Sequence, residues 1–507
     1  MSEASAGQGT ARHRALITGC VMLATVMQAL DMTIANVALP NMQGSLSANQ
    51  DQISWVLTSY IIAAAIIMPT TGFLAARFGR KRVFLVSVAG FTAASALCGI
   101  AGSLEEIVVF RLIQGAFGAP LVPLSQSIIL DTFPREKHGS AMAIWGVGVM
   151  IGPILGPTLG GYLTEVYSWR WVFYINLPFG VLAFLGIMMV VPRTKRDRKR
   201  RFDIFGFALL TLAIGAFQIM FDRGEYKDWF SSTEIIIEAS IAVLAAYLFI
   251  VHSLTSDRPF IDLSLFGDRN FVVGLLFIFI FGGLLVTTMA LMPPFLQNLV
   301  DFPVITVGVV LAPRGLGAMI GMMFVSRTIE KVDPRLLMFV GLGMVAWSLY
   351  EMTGFTNQVG IDTIVWTGSV QGFGLGLFFV PLNTVAFSTM APRSRTEAAG
   401  VFNLMRNLGS SMGISITVSM LIRNTQINHS VIAENVTPYN AMFRAPNVPA
   451  LWDLAEPAGR AALNAEITRQ AATIAYLNDF KALMFVALFS APLLLLFRRQ
   501  RRQPAAG

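Results

Sequence analysis

Residues 146–161 read Gly-Val-Gly-Val-Met-Ile-Gly-Pro-Ile-Leu-Gly-Pro-Thr-Leu-Gly-Gly, and the glycine spacing in this run decides the architecture. Gly148, Gly152, Gly156 and Gly160 recur at every fourth residue, so in a helix they line one face and admit a neighbouring backbone at close range. Pro153 and Pro157 each remove a backbone donor and bend the helix that carries them. Part of the pattern is duplicated: Gly139, Gly148 and Gly152 return with identical spacing as Gly400, Gly409 and Gly413. Upstream, Gln114-Gly115, Gly118 and Pro123-Leu124 correspond to Gln371-Gly372, Gly376 and Pro381-Leu382, with a one-residue slip. The alternative to duplication is the general abundance of glycine and proline in membrane helices.

The surrounding chain has 507 residues, 55% of them hydrophobic and only 13% charged, with a mean hydropathy of +0.64. That is more apolar side chain than a soluble core of this length hides, so the chain is a polytopic membrane protein. Apolar runs of spanning length fall at 15–40, 53–73, 83–100, 106–130, 140–163, 169–191, 204–221, 233–252, 271–299, 306–325, 336–353, 363–390, 398–421 and 480–497, which predicts fourteen transmembrane helices. The repeated motifs then lie on helices four and five and again on twelve and thirteen. An offset of eight helices is what a duplicated six-helix unit with two inserted helices, seven and eight, produces. The expected divisions are 1–192 for the first bundle, 193–269 for the basic loop, inserted pair and following loop, and 270–507 for the second bundle.

Every second connection is basic: Arg77, Arg80, Lys81 and Arg82; Arg135 and Lys137; Arg193, Lys195, Arg196, Arg198, Lys199, Arg200 and Arg201; Arg327, Lys331 and Arg335; Arg393 and Arg395. The intervening short loops carry mainly Asp51, Glu105, Glu165 and Asp301. The positive-inside rule puts both termini in the cytoplasm. The net charge of +8 is therefore topological and implies no nucleic-acid partner. The first apolar run is too long for a signal-peptide core and lacks a small-residue cleavage site, so it is retained as a span. Cys20 and Cys98 sit near opposite ends of their helices, which argues against a disulfide.

Within this frame Asp31 stands out. A carboxylate inside the first span costs roughly 2.5–3.5 kcal/mol on insertion scales and marks a functional site by default. Arg111 on helix four lies at a comparable depth, since the two residues sit roughly 13 and 8 Å from the same surface at helical rise. Burial favours the neutral acid and a neighbouring guanidinium favours the carboxylate, so the pair suits a proton that is bound and released. Gln28 and Gln114 are polar neighbours on the same helices. Two readings stand: Asp31 carries a coupled proton with Arg111 modulating its affinity, or the two form a static ion pair fixing helix one to helix four. Arg314 and Arg406 lie deep in helices ten and thirteen, either snorkelling or facing a cavity with Gln371. In the cavity reading they outweigh Asp31 and favour neutral or weakly acidic amphiphiles. The 25 Met and 38 Phe would give such a cavity adaptable apolar walls, although most face lipid or other helices.

The segment from Gly72 to Arg82 closes helix two and forms the next turn, with Arg77, Gly79 and Arg80 in it. Glycine permits a tight reversal and the cations complement a helix C-terminus. Arg80 is placed to pair with Asp131 at the same end of helix four as a latch remade in each conformation; plain positive-inside charge is the other reading.

Together, 30–40, 72–82, 111–115, 148–161 and the opening of helix six at 169–178 resemble the major facilitator superfamily, and within it the fourteen-span drug:proton antiporters of the EmrB/QacA subfamily. The resemblance covers nearly the whole chain. It implies proton-coupled efflux of lipophilic drugs and toxic compounds by alternating access, with Gly72, Arg77, Gly79, Arg80, Asp131 and the 148–160 motif as moving parts. It implies no cofactor beyond the proton gradient, a bacterial inner-membrane location, and a periplasmic membrane-fusion adaptor feeding an outer-membrane channel. An exporter or symporter of one metabolite, such as a fatty acid, is the alternative. One departure is Ala76, where the family usually has an acid, so any latch rests on Asp131 and Arg80.

Residues 423–479 read as one sizeable external loop with an amphipathic helix at 453–476, either an adaptor-docking element or a lid. Catalysis is not expected: His13, His138, His252 and His429 are scattered, with no metal or nucleophile spacing.

Overall fold

A computed structural model describes residues 2–194, 197, 202–257, 259–437, 452 and 456–498. The arginine and lysine run at 195–196 and 198–201, the loop segment 438–451 and 453–455, and Arg499, Arg501 and Arg502 lie outside the described residues.

The described chain is helical throughout. The first half contains α1 (Ser2–Ser45), α2 (Gln50–Ile67), α3 (Thr71–Phe78), α4 (Arg80–Ile100), α5 (Leu104–Gly118), α6 (Leu121–Thr132), α7 (His138–Val166), α8 (Trp171–Tyr174) and α9 (Asn176–Val190). The insert is α10 (Ile204–Arg223) and α11 (Thr233–Thr255). The second half contains α12 (Arg269–Asn298), α13 (Val304–Thr328), α14 (Pro334–Met352), α15 (Ile361–Phe387), α16 (Arg395–Glu434) and α17 (Pro457–Ser490). Short polar side chains begin many of them by satisfying free backbone donors: Asn49 and Gln52 form a reciprocal cap on α2, and Ser103, Asp203, Asp268 and Asp333 cap α5, α10, α12 and α14. Proline breaks spans without ending them. Pro69 sits in the 3-10 turn between α2 and α3, and Pro120 between α5 and α6.

Among the described residues thirteen helical segments are long and apolar enough to cross a membrane. The fourteenth expected span is α16, which carries Arg406 and Asn403 and falls below that hydropathy, yet packs against α12 and α17 as a bundle member. The loop expected over 423–479 is mostly helix. α16 continues to Glu434 and α17 begins at Pro457, so only 435–456 connects them. The amphipathic pattern belongs to the first turns of α17, whose Leu463, Ile467 and Ala471 are buried.

The glycine face of α7 packs on α1. A Cβ at Gly148 would run into Met22, one at Gly152 into the Ala29 backbone, one at Gly156 into Thr33 and one at Gly160 into Ile34. Thr33 Oγ1 also donates to the Gly152 carbonyl at 3.0 Å. The second half repeats this: Gly409 abuts the Phe279 backbone and Gly413 abuts Gly283 and Thr287, all on α12.

Direct hydrogen bonds between the two bundles lie toward the end carrying the basic loops. Gln126 Nε2 donates to Asn383 Oδ1 at 2.7 Å, Asn403 Nδ2 to Gln126 Oε1 at 3.0 Å, and Thr396 Oγ1 to Ser127 Oγ at 3.1 Å. Gly72 and Gly400 serve the same interface. A Cβ at Gly72 would meet Glu397 Cβ at 2.6 Å, and one at Gly400 would meet the Met68 carbonyl at 2.9 Å. Gly72 is thus a contact point between bundles, whereas the tight reversal rests on Gly79, whose φ is 89°. The inserted α10 bridges the outside of both bundles: Asp222 accepts from Thr58 on α2, and Gln218 Nε2 donates to Ser411 on α16 at 2.6 Å.

Gly152→Val should push α7 off α1 at a cost of about 1–3 kcal/mol, typical of overpacking. Thermal unfolding of the detergent-solubilised protein should show a lowered midpoint, and Gly413→Val should behave alike in the second half.

Candidate functional site

Asp31, Arg111, Gln114 and Asn176 are all fully buried and meet in one hydrogen-bonded cluster inside the first bundle. Arg111 Nη1 donates to Asp31 Oδ2 at 2.7 Å. Gln114 Nε2 and Asn176 Nδ2 donate to Asp31 Oδ1 at 2.8 and 2.7 Å. Helical geometry explains the Arg111–Gln114 partnership, because residues three apart share a face, and Gln114 Oε1 accepts from Arg111 Nη1 at 2.7 Å. The arginine is further held by the Val56 carbonyl, 3.1 Å from its Nε, and by the Tyr60 ring, whose centroid lies 4.3 Å from its guanidinium carbon. Ser95 orients Asn176 by accepting from its Nδ2 at 3.0 Å, and Ser95 in turn donates to the Phe173 carbonyl. Beyond α4, the Arg170 guanidinium donates to the Gly99 and Ala101 carbonyls and stacks on Trp169, closing that corner of the bundle.

A buried ion pair survives only when its remaining hydrogen-bonding capacity is met. Here the carboxylate receives three donors, and the arginine gives to a carboxylate, an amide oxygen and a backbone carbonyl. Protonating Asp31 would remove the charge that holds Arg111, so this arrangement can couple a proton to helix position.

Gln28 is one step removed, donating to Tyr60 Oη at 3.2 Å and touching Met32 sulfur. Asn176 lies within the helix-six segment 169–178, and Tyr60 and Ser95 carry no sequence signal. An asparagine opening an apolar helix beside a buried acid is the clue that was available. Cys98 is buried with its sulfur 3.6 Å from Gln114 Oε1, and both cysteines are free.

Asp131 forms the second cluster, at the basic end. It pairs with Arg80 inside the first bundle and with Arg395 Nη1 of the second bundle at 2.6 Å. Arg395 also donates to the Leu130 carbonyl and is buried. This ion-pair cluster thus includes a residue that in the sequence reads as one more loop cation, and it crosses between bundles. A cleft of about 460 Å³ adjoins it, lined by His13, Arg14, Ile17, Arg80, Asp131 and Thr194 among others.

The proposed cavity residues divide. Arg314 is buried and donates to the Leu285 carbonyl at 3.1 Å, Gln371 is buried, and Arg406 is half-buried. Arg77 lies in the last turn of α3. Pro153, Gly156 and Pro157 lie within α7. Among the described residues no group of three or more His, Cys, Asp or Glu is arranged to hold a metal.

This fold and its paired bundles define a membrane transporter. The chain belongs to the Major Facilitator Superfamily, which it matches over residues 21–414. It is 40% identical over 447 residues to the multidrug export protein EmrB of Escherichia coli strain K12, covering 88% of this chain and 86% of that one. It is 37% identical over 428 residues to the fatty acid resistance protein FarB of Neisseria gonorrhoeae, covering 84% of each. The human organic anion transporter MFSD10 superposes with a TM-score of 0.61 over 94% of this chain and 99% of that one, at 16% identity, a likeness of fold alone.

Removing one member of the buried pair should cost about 3–5 kcal/mol. Arg111→Leu should therefore lower the melting midpoint strongly, and adding Asp31→Asn should recover most of the loss while leaving transport dead. Arg395→Gln should loosen the basic end, seen as faster thiol labelling of a cysteine placed at Ser127.

Proposed function

We propose that this chain is a multidrug:proton antiporter of the bacterial inner membrane that exports lipophilic compounds, neutral or weakly acidic, by alternating access. The observation that carries the reading is the Asp31–Arg111–Gln114–Asn176 cluster, a carboxylate fully buried in a membrane helix and tied to two other helices, α5 and α9. The relatives named for multidrug export and fatty acid resistance supply the substrate class.

In this reading the basic end faces the cytoplasm, and the inter-bundle bonds there hold the cytoplasmic side shut. Asp31 is ionised in that state. A proton arriving from outside neutralises it and frees Arg111, α1 and α5 shift, and the strain reaches the basic end through α5–α6 and the α1–α7 glycine contacts. The Asp131–Arg80–Arg395 latch opens, substrate exchanges with the proton, and re-ionisation restores the pair. A potential of 100 mV contributes about 2.3 kcal/mol for each charge moved across the membrane. The proton gradient is the energy source and no cofactor takes part.

The 40 residues of α16 span about 60 Å at 1.5 Å per residue, against a hydrocarbon core of about 30 Å. α16 and α17 therefore project beyond the bilayer at the periplasmic end, joined there by His429 and Asn464 at 3.0 Å. This helical projection is the docking element for a membrane-fusion adaptor that feeds an outer-membrane channel.

The test is drug resistance in a host stripped of its own efflux pumps. Wild type should protect against uncouplers and weak-acid antibiotics, and Asp31→Asn, expressed at equal level, should abolish protection. Full proton-driven export by Asp31→Asn would overturn the assignment.

A further inference from the structure

The two bundles are built on matching glycine contacts, so their positions can be compared one by one. Gly152 of α7 abuts Ala29 of α1, and its repeat counterpart Gly413 of α16 abuts Gly283 of α12. Two residues further along these helices stand Asp31 in the first bundle and Leu285 in the second, and two further still Thr33 and Thr287. On the facing helices Gln371 is the counterpart of Gln114, which makes Gly368 the counterpart of Arg111. The second bundle has thus lost both charged residues of the cluster from their own positions.

A cation nevertheless occupies the place. Arg314 reaches in from α13, its Cβ 3.6 Å from where a Cβ at Gly368 would stand, and its Nη2 donates to the carbonyl of Leu285 itself. It is 8% exposed and, among the described residues, pairs with no carboxylate. Gln371 is 1% exposed, and its Oε1 has no hydrogen-bond partner among the described residues, whereas the Oε1 of Gln114 accepts from Arg111. Arg406, on α16 where that helix crosses α12 at Gly282, likewise has no carboxylate partner among the described residues. The second bundle therefore holds a guanidinium, supplied from α13, and a glutamine at this place, with a leucine where the first bundle has its acid.

We propose that this cluster is a binding subsite for the carboxylate head of an amphiphilic acid, with the ligand supplying the group that Asp31 supplies in the first bundle. The proposal rests on the export reading above and names its substrate. A buried guanidinium without a counter-ion is unfavourable until an anion completes it, and a carboxylate matches the guanidinium fork. In the bound state Arg314 donates to one carboxylate oxygen and Gln371 Nε2 to the other, while Gln371 Oε1 accepts from Arg314, reproducing the Asp31–Arg111–Gln114 pattern. One turn away Phe281 stacks on Phe379 with centroids 5.0 Å apart and both rings buried, so the surroundings of the cluster are apolar.

The test uses the full chain in nanodiscs and proteoliposomes, with dodecanoate as probe and the uncharged dodecanamide as control. Arg314→Gln should weaken dodecanoate binding about tenfold or more, the loss of a charge-assisted contact, and weaken dodecanamide binding by a much smaller factor. Leu285→Asp should do the same by placing a carboxylate on Arg314 from within the chain, and Gln371→Leu should give a smaller loss. Equal dodecanoate affinity in wild type, Arg314→Gln and Leu285→Asp overturns the proposal, as does a wild type that exports dodecanamide in an Asp31-dependent manner but does not bind dodecanoate. Failure of the export reading shows separately, as transport of either probe that is indifferent to the proton gradient and to Asp31→Asn.

Discussion

Everything in the first bundle is arranged around the cost of holding a carboxylate away from water. Asp31 and Arg111 balance each other's charge, and Arg111 is held further by Gln114 and the Val56 carbonyl. That mutual dependence ties α1 to α5 and, through Asn176, to α9. Three helices are thereby held by the charge of a single carboxyl group.

The glycine face of α7 matters for the same reason. It lets α7 approach the turns of α1 on either side of Asp31, from Ala29 to Ile34, so a small shift of α1 is felt directly by α7. α7 also packs on α13 of the other bundle, where Ile154 fills the space beside Gly315. At the basic end the bundles are joined by polar contacts, Gln126 with Asn383 and Asn403, and Asp131 with Arg395. Each neutral contact of this kind contributes a net stabilisation of only about 1 kcal/mol, because folding exchanges it for hydrogen bonds to water.

Much of this was legible in the chain. Hydropathy located the spans because a bilayer imposes their length, and the repeated glycines exposed the duplication because only a residue without a side chain permits those crossings. Asp31 and Arg111 were found because intramembrane charge is costly. Arg395 and Asn176 were missed as partners for a common reason: a loop cation and a helix-opening asparagine look ordinary until tertiary packing buries them. The amphipathic helix read within 423–479 is the start of α17, but the loop is shorter than its polar composition suggests, because α16 runs on to Glu434 and hydropathy marks where a helix stops being apolar, not where it ends.

The sequence by itself therefore determined the membrane class, the duplicated six-helix plan with its insert, and which side chains carry charge inside it, since these follow from local periodicity and from the energetic cost of each residue in lipid. Only the tertiary structure decided which charges meet. Asp31 is balanced by Arg111, Asp131 is shared between two bundles, and Arg314 stands beside Leu285 without an acid. Pairing depends on the relative rotation and crossing of helices distant in the chain, and that is settled by packing rather than by any local pattern.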